Sequence, residues 1–103
     1  MWGGTKIKSA TKVYENHTRA KTDHTFTAQK GRVYTISIHE FNGMSNVNAN
    51  YTGCEVLYSE KSLMNTTYYS TVLLSAVVAT GTSVTITMSG GVDYQATYVY
   101  ELN

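Results

Sequence analysis

The alternation of apolar and polar residues in the second half of the chain constrains the fold more than any other feature. Between residues 84 and 89 every second side chain is apolar: Val84, Ile86 and Met88. Residues 34–38 and 94–102 follow the same rule, the latter with Tyr at several of the apolar positions. A period of two places alternate side chains on opposite faces of a β-strand. The pattern therefore predicts strands with one buried face, which must pack against a second layer.

Glycines divide the chain into strand-length segments, and they occur at Gly31, Gly43, Gly53, Gly81 and Gly90-Gly91. Together with the alternation they predict strands near residues 6–14, 24–28, 34–38, 54–58, 68–80, 84–88 and 94–102. The Asn- and Gly-rich segment 42–53 predicts a long loop with Met44, Val47 and Tyr51 as candidate contact residues. A polar turn is expected over residues 59–62, and the Gly90-Gly91 turn predicts a terminal hairpin.

One segment is ambiguous because residues 68–80 are almost continuously apolar. Such a run is compatible with a buried helix or with a buried strand. Val72, Val77 and Val78, with threonines at both ends of the run, favour the strand because β-branched side chains suit extended backbone.

Seven to eight strands in 103 residues predict a single all-β domain, an antiparallel β-sandwich. An immunoglobulin-like sandwich and a jelly roll are the two candidate architectures. Immunoglobulin domains carry a Cys…Trp…Cys spacing, whereas the single Trp here is Trp2 and the single Cys is Cys54. We therefore expect a jelly roll. The lone cysteine also excludes an internal disulfide and predicts a buried, inert thiol.

Charge is distributed unevenly along the chain. Residues 1–32 hold seven basic and two acidic residues, a net charge of +5, whereas residues 33–103 hold one basic and five acidic residues, a net charge of −4. Residues 1–22 are predicted to form a basic N-terminal arm or a first strand, with Lys6, Lys8 and Lys12 on one face and Ile7 and Val13 on the other. Such an arm can bind nucleic acid or the acidic body of a neighbouring subunit. Because arginine is scarce and the total charge is only +1, we expect the neighbouring subunit and no nucleic-acid partner.

No catalytic or metal-binding arrangement is recognisable. His17, His24 and His39 lie in different predicted elements with spacings that match no compact metal site. No Gly-x-Ser-x-Gly elbow is present, and the surface carboxylates form no distinctive pair. We therefore expect a non-enzymatic protein without metal or cofactor, and a small hydrolase ranks last among the function classes.

The nine tyrosines are the strongest indication of an interaction surface. Tyr offers a large rigid apolar ring and a hydroxyl that needs a partner, so it suits interfaces as well as cores. Filling of the core and contact with a subunit or ligand therefore both remain open, and stacking on sugar rings is a further role. The candidate interface or ligand-contact residues are Trp2, Lys6, Lys8, Lys12, Tyr51, Tyr68, Tyr69, Tyr98 and Tyr100.

Two segments resemble known proteins. The run from Phe26 to Ser37, an apolar strand, a Gly31 turn and a Tyr34-containing strand, resembles the early strand pair of small jelly-roll domains, including tumour-necrosis-factor-like folds. The stretch from residue 79 to residue 102, and the Gly3-Gly4 opening, resemble the ends and openings of small phage and prophage virion proteins.

The resemblance implies a head-decoration, head-fibre or tail-fibre protein that is commonly trimeric and is mounted with other virion proteins on a particle. It supplies no site residues. Because the first residues contain no apolar run, neither a signal peptide nor a membrane span is expected, and synthesis in a bacterial cytoplasm would precede assembly. The alternative function is a β-sandwich module that binds a carbohydrate or a host receptor.

Overall fold

The computed structural model describes residues 7–20, 22–41, 47–65, 70–90 and 94–103. These residues form eight β-strands, which are β1 Ala10–Thr18, β2 His24–Thr27, β3 Val33–Phe41, β4 Asn48–Thr52, β5 Cys54–Asn65, β6 Ser70–Ala79, β7 Ser83–Ser89 and β8 Tyr94–Leu102. Nowhere in the described ranges does a helix occur that is long and apolar enough to cross a membrane.

The strands form two antiparallel sheets with jelly-roll order. One sheet has five strands in the order β1-β8-β3-β6-β5, and the other has three in the order β2-β7-β4. The first strand pairs with the last, the second with the seventh and the third with the sixth, which is the nested pairing of a jelly roll. The predicted all-β jelly-roll sandwich is confirmed. The fold departs from the nested pattern at its fourth pair, because β5 pairs with β6 instead of β4 and so extends the larger sheet.

The core lies between the two sheets and is built from their alternating inward side chains. Its largest fully buried apolar members are Tyr34, Ile36, Ile38, Ile86 and Met88. The alternation over residues 34–38 and 84–88 therefore identified the core correctly. The ambiguous segment is also a strand over its described part, Ser70–Ala79, and it pairs with β3 and β5 in the middle of the larger sheet.

The predicted terminal hairpin is wrong, because β7 and β8 lie in different sheets. A glycine turn after a strand indicates a change of direction but does not say whether the chain returns in the same sheet or crosses to the other. Gly90 has a φ of 97°, and a Cβ there would lie 2.8 Å from the Val47 Cα, so the connection passes tightly against the start of β4. The early strand pair, β2 and β3, is likewise split between the sheets.

Two segments that were predicted to be connections, a long loop and a polar turn, form β-strand instead. Residues 48–52 of the expected long loop form β4, whose Ala49 and Tyr51 point toward the core between polar neighbours. Residues 59–62, the expected polar turn, continue β5 because the long neighbouring strand β6 supplies hydrogen-bond partners along their whole length. Composition hid both strands, since Asn, Ser, Glu and Lys are uncommon in strands and are tolerated at edges.

The expected apolar face of the basic segment is also wrong. Residues 10–18 form β1, but a bulge between Lys12 and Tyr14 interrupts the alternation. Val13, at the bulge, is consequently 39% exposed, and Ile7 lies before the start of β1 and is 47% exposed. Tyr14 packs against the core instead. A bulge adds one residue and reverses the inward and outward positions after it, which alternation alone does not reveal.

Candidate interaction surface

The outward face of the five-stranded sheet carries a continuous set of large apolar and aromatic side chains. We call it the tyrosine face, and it comprises the outward-pointing residues Phe41, Tyr58, Leu74, Tyr94, Tyr98 and Tyr100 together with the small residues between them. Five of the six are more than a third exposed: Tyr58 at 54%, Tyr94 at 45%, Leu74 at 44%, Phe41 at 43% and Tyr100 at 37%. These positions face outward because the alternate residues of β3, β6 and β8 are buried in the core.

The register of the strands aligns these side chains in rows across the sheet. Tyr100 lies opposite Thr35, which lies opposite Ala76, which in turn lies opposite Tyr58. The adjacent row runs from Tyr98 through Ser37 to Leu74. In the first row the large side chains thus stand on β8 and β5 with Thr35 and Ala76 between them, whereas in the second row Leu74 on β6 is the large residue facing Tyr98 across Ser37.

The result is a shallow groove of about 310 Å³, which we call the tyrosine groove. Its walls are Tyr98 and Tyr100 on one side and Tyr58 on the other, and Thr35 and Ala76 form part of its floor. The walls stand three strand spacings apart, or about 14 Å. A concavity of this size between aromatic rings suits one large apolar side chain or a sugar ring.

Charge is absent from the centre of the tyrosine face. Every described outward residue of β3, β6 and β8 is uncharged apart from a histidine, His39, whose Nε2 lies 2.6 Å from the Ser70 hydroxyl. Glu55 and Glu60 point outward on the flanking strand β5, and the Glu60 carboxylate accepts a hydrogen bond from the Tyr58 hydroxyl. This hydrogen bond raises the pKa of Tyr58. The face therefore has an apolar middle and an acidic β5 side.

The opposite side, β1, carries balanced charge. Lys12 forms an ion pair with Glu15, whose carboxylate also lies 2.7 Å from the His17 Nε2. The pair raises the pKa of Lys12 and lowers that of Glu15. Lys12 is thus already paired within its own strand, whereas Lys8 is exposed where the chain enters β1.

Both edges of the larger sheet carry features that oppose further strand pairing. A bulge interrupts β1, and two irregularities interrupt β5. Lys61 on β5 points inward and donates hydrogen bonds to the Val47 carbonyl at 3.3 Å and to the Asn48 side chain at 3.2 Å. Bulges and inward-pointing charges are the usual means of protecting an exposed edge. Association through the face is therefore easier than association through an edge.

The structure separates the predicted contact residues into four groups, and the first is Lys8 and Lys12, which lie near the start of the edge strand β1. Tyr98 and Tyr100 lie together on the tyrosine face. Tyr51 is half-buried against the core, where burial raises its pKa, so core filling explains it. Trp2, Lys6, Tyr68 and Tyr69 lie outside the described residues, as does Met44.

Sequence reasoning missed Phe41, Tyr58 and Leu74 as members of the same face, and it left Tyr94 out of the contact candidates. The signal for Tyr94 was present, because it shares the outward alternation of Tyr98 and Tyr100. The others could be added only once the order of strands in the sheet was known, since β5, β6, β3 and β8 are not consecutive neighbours.

A buried polar cluster at one end of the sandwich was also missed. His24, Glu40, Gln95 and Thr97 are all at most 2% exposed. The Gln95 amide donates to Glu40 Oε1 at 2.8 Å, and its carbonyl oxygen contacts His24 Nε2. That nitrogen also lies 3.1 Å from the Thr97 hydroxyl. The cluster links β2 of one sheet to β3 and β8 of the other.

The cluster sets the protonation of its members. An Nε2 that faces a carbonyl oxygen carries the proton, so Nδ1 accepts from the Tyr14 hydroxyl at 2.8 Å. Burial lowers the pKa of His24, which is therefore neutral. Burial also raises the pKa of Glu40 to about 7, against a weaker lowering by Gln95. Glu40 Oε2 has no hydrogen-bond partner among the described residues.

Within the described ranges, no three His, Cys, Asp or Glu side chains are grouped as metal ligands. Each histidine has a separate neighbour: Glu15 for His17, Tyr14 for His24 and Ser70 for His39. Cys54 is partly exposed and packs against the core, and burial raises the pKa of its thiol.

Comparison with known proteins gives this chain no relatives. It matches no protein-family model, and no curated protein or solved structure is significantly similar to it.

Proposed function

We propose that this chain is a non-enzymatic structural subunit of a phage or prophage virion, which self-associates through its tyrosine face and docks on other virion proteins. It would be made in the bacterial cytoplasm and act as a capsid decoration, head fibre or tail-fibre component. The jelly-roll strand order is compatible with this role, although a fold alone carries no function. The proposal depends on one observation: an uncharged, aromatic sheet face is exposed between protected edges.

The size and chemistry of the face support protein contact. The four strands that carry the face lie about 4.8 Å apart, and with four outward residues per strand they cover roughly 500 Å². A stable protein interface buries roughly 800 Å² from each partner, so this face supplies most of one. Tyr enrichment and depletion of charge are the compositional features of interface centres. The other outward face, on β2, β4 and β7, carries Thr, Ser and Asn in the described residues and lacks those features.

The test is the oligomeric state of the purified protein and of two matched variants. Leu74→Arg places a charge in the centre of the tyrosine face, whereas Thr87→Arg places it on the outward face of the three-stranded sheet. Glu60 lies opposite position 74 on β5, but burying the introduced Arg costs desolvation free energy even when it pairs with that carboxylate, so we expect Leu74→Arg to weaken association by about tenfold or more. Thr87→Arg should have no effect.

Sedimentation velocity over a concentration series gives the result. The resemblance to small virion proteins favours a trimer, three times the chain mass of 11.4 kDa. A wild-type protein that stays monomeric at tens of micromolar, or equal effects of the two variants, would refute association through this face. For the virion role, we expect capsid, portal or tail genes beside the gene, and we expect the domain in a cryo-electron map of the particle.

The tyrosine groove also favours a second candidate, the carbohydrate-binding module. Tyr98 and Tyr100 can stack on a sugar ring, and the Thr35 and Ser37 hydroxyls at the floor can bond to its hydroxyl groups. A glycan array tests it: binding that is lost in Tyr100→Ala supports this function, and an array without hits removes it.

A further inference from the structure

The tyrosine groove lacks an occupant among the described residues, and the chain contains a segment suited to fill it. Residues 1–6 read Met-Trp-Gly-Gly-Thr-Lys and hold the single Trp of the protein. Trp is among the side chains that contribute most when they are buried in an interface pocket. The two glycines after Trp2 carry no side chains that would obstruct a close approach to the tyrosine walls.

Charge around the groove complements this segment. Glu55 and Glu60 point outward on β5, on either side of Tyr58. The segment carries Lys6, and Lys8 follows where β1 begins. Lys6 is four residues from Trp2, or about 13 Å along an extended chain. When the indole of Trp2 lies between the groove walls, this length is enough for Lys6 to reach the β5 side.

Geometry favours the groove of a neighbouring copy over that of the same chain. Lys8 donates its backbone N–H to the Asn103 carbonyl, so Ile7 lies beyond the end of β8. From there the groove is about 17 Å back along the sheet and about 12 Å across it, or roughly 20 Å away. The five residues from Ile7 to Trp2 span at most about 18 Å, so even with the length of the indole side chain added, Trp2 reaches its own groove only along a nearly straight, fully extended path. In addition, the chain leaves β1 in the direction away from the groove, so a return would consume residues in a reversal.

We propose that Trp2 of one copy occupies the tyrosine groove of a second copy, with Lys6 beside Glu55 and Glu60. This inference rests on the proposed self-association and specifies where the N-terminal arm binds in it. Each subunit would give an arm and receive one, which is a head-to-tail contact that closes into a ring when the rotation allows it. Such an arrangement suits the trimer expected from the resemblance.

Because Trp2 is the only Trp, its fluorescence reports directly on the proposed contact. The full-length protein is measured from nanomolar to high micromolar concentration, with mass from sedimentation and the emission maximum recorded on the same samples. Variants are Tyr58→Ala, which removes one groove wall, and Thr87→Ala, at an exposed position on the outward face of the three-stranded sheet. Trp2→Ala is tested for association alone.

We expect the emission maximum to move to shorter wavelength as oligomers form, and to stay at the value of free N-acetyltryptophanamide in the monomer. Tyr58→Ala should abolish the shift and Thr87→Ala should keep it. Trp2→Ala should weaken association by about tenfold, as loss of an interface Trp commonly does.

Four outcomes would overturn the inference. An oligomer whose Trp emission is that of a fully exposed indole would mean that Trp2 does not fill the groove, although the proposed self-association would still stand. A shift that persists in the dilute monomer places Trp2 in its own chain. A shift unaffected by Tyr58→Ala places it elsewhere on the neighbour. A protein that never associates overturns both this inference and the proposed function, and the sedimentation data distinguish that case.

Discussion

At the scale of single residues, Glu40 is the side chain with the most unusual environment. Its side chain is fully buried and accepts one hydrogen bond, from Gln95. The buried cluster to which it belongs contains no lysine or arginine. Burial raises its pKa from 4.5 to about 7. The folded state therefore binds the proton more tightly than the unfolded state, so stability is complete below pH 4.5 and falls as the pH rises toward 7.

Glu40→Gln should remove this loss. A shift of this size corresponds to about 3 kcal/mol, so the variant should gain roughly that much relative to wild type between pH 4.5 and 8. His24 has the opposite effect, because its lowered pKa costs stability as the pH falls below 6.5. Comparing the two proteins at each pH removes that contribution. Urea unfolding at several pH values provides the measurement, with exposed Glu55→Gln as the control; parallel wild-type and Glu40→Gln curves would contradict the assignment.

At the scale of elements, Gly53 is the residue that lets the chain cross between the sheets. It is the single residue between β4 in the smaller sheet and β5 in the larger one. Its φ is 81°, and a Cβ at this position would lie 2.3 Å from the Ser83 carbonyl oxygen. Gly53→Ala must therefore distort both its own backbone and β7.

A series of three glycines separates these costs. Gly31→Ala carries only the strain of a φ of 87°, with open space around the added methyl, and should cost about 1–2 kcal/mol. Gly81→Ala has neither problem and should change stability little. Gly53→Ala should cost clearly more than Gly31→Ala, because the clash with Ser83 adds to the strain. Thermal unfolding ranks the three, and an equal effect of Gly53→Ala and Gly31→Ala would show that β7 yields freely.

The same crossing explains how much of the fold the sequence could predict. Alternation marks a strand, and over residues 34–38 and 84–88 it also marked the buried side. Over residues 94–102 it indicated the wrong side, because Tyr94, Tyr98 and Tyr100 face outward whereas Gln95, Thr97 and Val99 are buried. It does not give the partner of a strand, so β7 and β8 looked like a hairpin although they lie in opposite sheets. The tyrosine face was predicted only at Tyr98 and Tyr100 for this reason, since Tyr58 and Leu74 join them through long-range pairing. The alternation of Tyr34, Ile36 and Ile38 continues to position 40 and indicates the inward side, but the residue type argued against burial of Glu40, because an acidic residue near a strand end usually faces solvent.

At the scale of the whole molecule, a neighbouring subunit can pack against the outward face of the larger sheet or can pair with one of its edge strands, β1 or β5. Association through a face buries apolar surface and can stop at a closed ring, whereas pairing of edge strands can continue without limit. The larger sheet ends in the long strand β5, on which Leu57, Tyr58 and Leu63 are more than 40% exposed. Its protection against edge pairing therefore depends on its bulges and on Lys61, which reaches across to the start of β4.

Lys61→Val should convert closed association into open aggregation. The change removes the inward charge and its hydrogen bonds to Val47 and Asn48, and it leaves an apolar, β-branched edge of the kind that pairs with other chains. We expect light scattering and thioflavin T fluorescence to rise with time, while Lys30→Val, at an exposed turn position, should behave as wild type. Adding Leu74→Arg to Lys61→Val distinguishes the routes, because edge aggregation should persist when face association is lost. Aggregation that disappears in the double variant would instead mean that the face, and not the edge, drives it.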